Sequence, residues 1–379
     1  MLLEFGARNF FSFKEGFDFS LELNGNCPES ISKGCDVAHT IGIKGANASG
    51  KTNVLRALSF VRYLCTESFN AAPKAKIPFK NFYDNADSTN LFCRFALNGV
   101  KYSYEVELTN REILSEELCF DESGKKIFRR DKTEWTFTGN DFVELKKIKI
   151  RTNVSVIHSA HMNEFEPLEP FSSFFENIIT NVTDVGMADI TPDISWICQK
   201  YRENTQIFGK VKNFLIKADT GIVDIKIQET MGPQGKAVFF PMFVHKVNDK
   251  DFQVPVWHES SGTAQLFCSL VLYFQALSFG GVLLLDEFDT NLHPDILPLL
   301  LDLFNSDEKN PHNAQIIFST HDTAVMDLLG KYRTYLVNKR NNESFSYRLD
   351  EIPGDVLRND RPVSKPYRDG KIGGVPRTE

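Results

Sequence analysis

Four short groups of residues carry side chains suited to phosphate chemistry. In Gly45-Ala46-Asn47-Ala48-Ser49-Gly50-Lys51-Thr52, two glycines separated by four residues run into Lys and Thr, which is the spacing of a phosphate loop. Glycines let the backbone turn its N–H groups inward, and a helix starting near Gly50 adds its positive end. Lys51 is expected to reach the β- and γ-phosphates of a nucleotide and the Thr52 hydroxyl to ligate Mg²⁺. Gly45, Asn47, Ser49, Gly50 and Asn53 complete the expected phosphate-binding set. Further on, the apolar run Gly281-Val-Leu-Leu-Leu ends in Asp286-Glu287. Asp286 is expected to hold Mg²⁺, and Glu287 to orient or deprotonate an attacking water. A second apolar run ends in Ser319-Thr320-His321, and a His there can contact a terminal phosphate or serve structurally. Ser260-Ser261-Gly262-Thr263 opens an apolar helical run; it reads either as an anion site or as a plain helix cap.

These groups need strands and helices to hold them. Thr40–Lys44 reads as the strand feeding the loop, and Val54, Leu55, Leu58, Val61 and Leu64 give the following helix one apolar face. Alternating Leu3, Phe5, Phe17, Phe19 and Leu21 predict an N-terminal hairpin. Strands are expected at 91–97, 101–108, 116–120, 126–130 and 134–138, with Asn98-Gly99 as a hairpin turn. Val154–His158 reads as another strand, and 165–218 as mostly helical. Three strands return at 222–228, 237–247 and 252–257. The class expected is α/β, with an antiparallel β layer.

Among 379 residues, 42% are hydrophobic and 33 are Phe, which argues against a largely disordered chain. A net charge of −7 supplies no global basic field for nucleic acid. The run Lys146–Arg151 is a solvated end or a local nucleic-acid contact. Seven cysteines without a CxxC pair suggest reduced thiols and a cytoplasmic protein rather than a disulfide framework or zinc site. Neither a secretory leader nor a membrane span is expected. Asn181-Val182-Thr183 matches the glycosylation triplet, and chance accounts for it in this setting.

The order of these motifs resembles that of ABC-type ATPase heads such as the structural-maintenance and DNA-repair ATPases. It is closer still to the small ABC-type AAA family ATPases of bacterial defence, the RloA-like and overcoming-lysogenization-defect-like group. Asn9–Phe13, Asp219–Ile222, Glu259–Gln265, Leu285–Asp289 with Leu292-His293-Pro294, Ser319–Asp322 and the tail Tyr367–Pro376 carry the likeness. It implies an ABC-type P-loop head at 1–68 and 218–379, with a β-rich then helical lobe inserted at 69–217. It implies ATP and Mg²⁺ as cofactors, Asp286 as Walker B carboxylate, Glu287 as catalytic carboxylate and His321 as switch residue. Ser261, Gly262 and Thr263 would contact ATP held by a second subunit, making a homodimer or higher oligomer through composite sites. The usual coupling Gln is not identifiable, and Ile157–His161 is its candidate replacement. The resemblance further implies an ATP-hydrolysing sensor or switch in anti-phage defence, with a separate nuclease or toxin as effector. The alternative is a repair or recombination ATPase that clamps DNA.

Overall fold

The structure, a computed structural model, describes residues 1–184, 186–187, 193–218, 221–232, 235–354 and 356–375. Asp219 and Thr220, Pro233 and Gln234 in the turn of the returning strands, and Pro376 of the tail lie outside them. Sequence alternation produces the first layer. Leu2–Arg8 and Phe17–Ser20 pair as the expected hairpin, and Leu2–Arg8 then pairs antiparallel with Thr89–Leu97. Val100–Leu108, Ile113–Phe120, Lys126–Asp131 and Glu134–Thr138 follow as a meander, giving one seven-stranded antiparallel sheet. Asn98 and Gly99 both take positive φ, 49° and 81°, as a two-residue hairpin turn demands. This sheet crosses the division expected between 1–68 and 69–217.

The second sheet holds the chemistry. Its strand order is Glu343–Arg348, Thr334–Arg340, Thr40–Lys44, Gln315–Ser319, Val282–Leu285 and Ile178–Thr180, parallel throughout except at the Glu343–Arg348 edge. Successive side chains point to opposite faces, so each central strand feeds two cores. Ile41, Ile43, Val282, Leu284 and Ile317 join the cluster shared with the antiparallel sheet. Leu283, Leu285, Ile316 and Phe318 join a second cluster on the other face. The helix Lys51–Thr66 lies between the sheets, burying Val54, Leu55, Leu58, Val61 and Leu64 in the first cluster.

The second cluster gathers helices Ile194–Glu203, Thr205–Ala218 and Ser261–Phe279 against the three-stranded sheet Ile222–Met231, Ala237–Val247 and Lys250–Pro255. Among the described residues, Ser261–Phe279 is the one helix long and apolar enough to cross a membrane. No span is expected from the sequence, and this helix packs in the core, burying Leu266, Phe267, Leu270 and Leu277.

Two expectations change. Val154–His158 is not a strand: Ser155 caps a helix, Val156–His161, by accepting from Ile157 N at 3.0 Å. A short cap outweighs the β preference of Val154, Val156 and Ile157. Ile178–Thr180, expected within a helical stretch, is instead the core sheet's edge strand. Its three residues are too few for periodicity to reveal.

Candidate functional site

The phosphate loop is built as its glycines require. Gly50 sits at φ 112° and Ala48 at φ 60°, so the loop doubles back before the helix. A Cβ on Gly45 would stand 2.2 Å from the Val337 carbonyl oxygen. Lys51 folds across the loop and donates to the Gly45 and Ala46 carbonyls at 3.0 and 3.2 Å. Burial lowers its pKa against the opposing pull of Asp286, Glu287 and Asp289. Distant segments brace the loop's far end. Ser344 Oγ donates to the Ser49 carbonyl at 2.6 Å and meets Ser12 Oγ at 2.8 Å, while Asn53 Nδ2 donates to Ser12 Oγ at 2.8 Å. Ser12 belongs to the Asn9–Phe13 group, and the bracing gives that group a physical task.

Asp286 ends its strand almost buried, with its two carboxylate oxygens taken by different elements. Thr52 Oγ1 donates to one at 2.5 Å and Ser319 Oγ donates to the other. Ser319 also holds the next two residues, since Glu287 N donates to its hydroxyl at 2.8 Å and Phe288 N to its carbonyl at 2.9 Å. Glu287 takes φ 53°, a conformation strained for a non-glycine residue, which turns its side chain out to solvent. His321 N donates to the Asp289 carboxylate at 3.0 Å, tying the second strand end to the turn after Glu287. Asn47, Ala48, Lys51, Thr52, Asp286, Glu287 and His321 line one opening of about 430 Å³.

These residues fit a nucleotide triphosphate with Mg²⁺. Among the described residues, Ser49 Oγ is buried without a hydrogen-bond partner, and Lys51 Nζ hydrogen-bonds only to carbonyls. The Thr52 hydroxyl and Asp286 carboxylate are hard oxygen donors of the kind Mg²⁺ takes alongside phosphates. Among the described residues, no three His, Cys, Asp or Glu side chains gather to hold a metal by themselves.

Sequence reasoning missed Asn181. It follows the edge strand, and its carboxamide grips the Asp286 backbone from both sides, Nδ2 donating to the carbonyl at 3.0 Å and Oδ1 accepting from the N–H at 2.8 Å. The only signal was a glycosylation triplet, and this buried carboxamide is no acceptor for a sugar. Ile157–His161 makes its polar contacts elsewhere: His158 Nδ1 accepts from Phe69 N at 2.9 Å, and His161 meets Glu169 at 3.0 Å. In the basic run, Arg151 stacks on Phe69 at 4.3 Å and donates to the Ala71 carbonyl at 3.0 Å, leaving Lys146, Lys147 and Lys149 exposed.

Ser261, Gly262 and Thr263 are not brought to the phosphate loop. Ser260 caps their helix, accepting from Thr263 N at 3.1 Å. Gln265 bonds Asn291 at 2.9 Å and the Thr290 carbonyl at 3.3 Å, fastening this helix start to the turn after Glu287. Gly262, Thr263, Asn291 and His293 line a separate opening of about 220 Å³.

A phosphate loop on a parallel sheet, an antiparallel layer packed over its helix, and a Ser-Gly helix start facing away define an ABC-type P-loop ATPase fold. Residues 41–327 match the family described as "AAA domain, putative AbiEii toxin, Type IV TA system". The chain belongs to that AAA family. No curated protein sequence matches it. Among solved structures it is similar to the SMC head domain from Thermotoga maritima, at 14% identity and TM-score 0.47 over 92% of this chain and 98% of that one. It is also similar to an SMC head bound to the C-terminal winged-helix domain of ScpA, at 14% identity and TM-score 0.43 over 92% and 98%. A third is an SMC head with an extended coiled coil bound to the C-terminal domain of ScpA derived from Pyrococcus furiosus, at 12% identity and TM-score 0.46 over 92% and 97%.

Proposed function

We propose that the chain binds and hydrolyses ATP with Mg²⁺ and uses the cycle as a conformational switch controlling a separate effector in a defence system. The observation that carries the nucleotide reading is the meeting of Thr52 and Asp286, 234 positions apart, at 2.5 Å beside Lys51. Backbone N–H groups of Gly45–Thr52 and the Lys51 ammonium would hold the phosphates, and Thr52 and Asp286 the cation. Glu287, exposed at the rim, would orient water, and His321 would meet the terminal phosphate. Gly262 and Thr263, beside Ser261, line a different opening of the same chain, which supports a second copy completing the site. ATP-dependent closure of a dimer then gives a change that a partner can read. The family's description as a toxin-type AAA domain of a toxin–antitoxin system supports the defence setting. A nuclease or toxin partner fits a switch of this kind.

The test is the mass of the Glu287→Gln protein with and without Mg–ATP, beside Lys51→Ala and the native ATPase rate. An ATP-dependent rise in mass that Lys51→Ala lacks supports the composite site. A monomer that neither changes mass nor turns over ATP overturns it. DNA that raises the ATPase rate, or binds with steep salt dependence, would favour the DNA-clamping alternative.

A further inference from the structure

The residue just before the phosphate loop is a second lysine. Lys44 ends the Thr40–Lys44 strand and is only 4% exposed, yet no carboxylate lies within ion-pair distance of its ammonium among the described residues. Among the described residues, its hydrogen-bond acceptor is the His321 carbonyl, which fills one of its three N–H donors. The ring of Tyr367 lies 5.5 Å away on the other side. Asp289 and Asp322 attract the charge from a distance, Lys51 opposes it, and burial dominates, pulling its pKa down to about 8. Buried charges in proteins are normally paired, because an isolated one is expensive to desolvate. The counter-ion of Lys44 is therefore to be sought in the space it faces.

That space is an opening of about 590 Å³ lined by Lys44, Gly45, Ala46, Asn47, His321 and Tyr367, among others. Asn47 and His321 also line the opening above Lys51 and Asp286, so the two adjoin and share these walls. Lys44 stands at the start of the loop with His321, the end away from Thr52 and Asn53. The Tyr367 ring is fixed there by the tail: its hydroxyl donates to the Gly374 carbonyl at 2.8 Å, and Gly374 N donates to Asn338 at 2.6 Å. Gly374 sits at φ 75°, where a Cβ would stand 2.9 Å from that ring. The Tyr367–Pro376 motif thus has a task in the described part of the tail, which is to back the ammonium.

We propose that Lys44, backed by Tyr367, is a further nucleotide-binding residue that supplies a second cation to the terminal phosphate of a nucleoside triphosphate and so separates ATP from ADP. This rests on the ATP reading above. A charge-assisted hydrogen bond to phosphate corresponds to roughly tenfold or more in affinity, and ADP lacks the group that would receive it.

The experiment is calorimetric titration of the Glu287→Gln chain with Mg–ATP and with Mg–ADP, alone and with Lys44→Met, Lys44→Arg or Tyr367→Leu added. Lys44→Met is expected to weaken ATP about tenfold or more and ADP less than twofold, with Lys44→Arg recovering part of the loss. Tyr367→Leu should fall between. Equal losses for both nucleotides, or none, overturn the proposal; so does a defect confined to self-association with both affinities unchanged. If Lys44→Met does not fold, the ratio of ATP to ADP affinity in Lys44→Arg and Tyr367→Leu decides, and an unaltered ratio in both refutes it. Failure of the parent reading is distinct, since the Glu287→Gln chain alone would then bind neither nucleotide.

Discussion

Asn181→Ala removes one side chain and opens two buried backbone groups of Asp286. Asn181 and Asp286 are each about 5% exposed, so the freed N–H and carbonyl have little access to water. A buried polar group left without its partner costs about 1–3 kcal/mol. With some relaxation, the loss of unfolding free energy should be roughly 2–4 kcal/mol. The effect on turnover is larger than on binding. Asp286 would shift once its backbone is loose, and a displacement of about 1 Å at a catalytic group costs on the order of 10²-fold. Lys51 and the loop glycines are untouched, so the KM for ATP should stay within a few fold. Asn181→Asp keeps an acceptor for the Asp286 N–H but turns a carboxylate oxygen toward the Asp286 carbonyl, and should be no better than Ala. Urea unfolding and phosphate release at saturating ATP, repeated across Mg²⁺ concentrations, give both numbers. The Mg²⁺ needed for half-maximal rate should rise, which a purely structural role would not produce. An Ala variant with the native unfolding midpoint, turnover and Mg²⁺ dependence would refute the reasoning.

Other outcomes follow from particular contacts. Arg130 and Glu116 form an ion pair with both side chains fully buried, and Glu116 also accepts from Tyr104 Oη and Ser155 Oγ at 2.9 Å; Arg130→Met should cost about 3–5 kcal/mol in urea unfolding, with Glu116→Leu recovering part of it. Burial and the neighbouring His161 push the His158 pKa from 6.5 down to about 4. The unfolded chain therefore binds more protons between those values, and stability should drop as pH falls from 6.5 through 4, by an amount that His158→Gln lessens. Trp257 is 62% exposed, rests on Phe240 at 5.0 Å and lies close before Ser261; in Glu287→Gln protein, Mg–ATP should shift tryptophan emission to the blue, ADP should not, and Trp257→Phe should abolish the change.

The parts of this molecule that were legible in the sequence are those whose physics is local. Glycine spacing located the loop, alternation located the antiparallel strands from Thr89 to Thr138, and a buried apolar run ending in Asp286-Glu287 marked the end of a parallel strand. What escaped depends on partners far along the chain. Nothing near Asn181 says that its carboxamide will hold Asp286, and Ile178–Thr180 becomes a strand only because Val282–Leu285 lies beside it. The hairpin of Thr334–Arg340 and Glu343–Arg348 turns on Asn341-Asn342, both at positive φ, without the glycine that usually flags such a turn. The buried Lys44 reads from sequence as an ordinary strand-end lysine, because its lack of an ion pair among the described residues is a property of the packed interior.

The interleaving of the core sheet also sets an order of events during synthesis. The seven-stranded sheet needs only residues 2–138 and, apart from the pairing of Leu2–Arg8 with Thr89–Leu97, joins strands that follow one another in the chain, so it can assemble while the ribosome is still at work. The parallel sheet cannot, because Thr40–Lys44 must wait for Gln315–Ser319 and Thr334–Arg340 on its two sides. Until then the loop of Gly45–Thr52 has no carboxylate partner and no bracing from Ser344. On the proposed reading, a chain cut short of Thr334–Arg340 and Glu343–Arg348 would lack the bracing that shapes the loop and should not bind nucleotide.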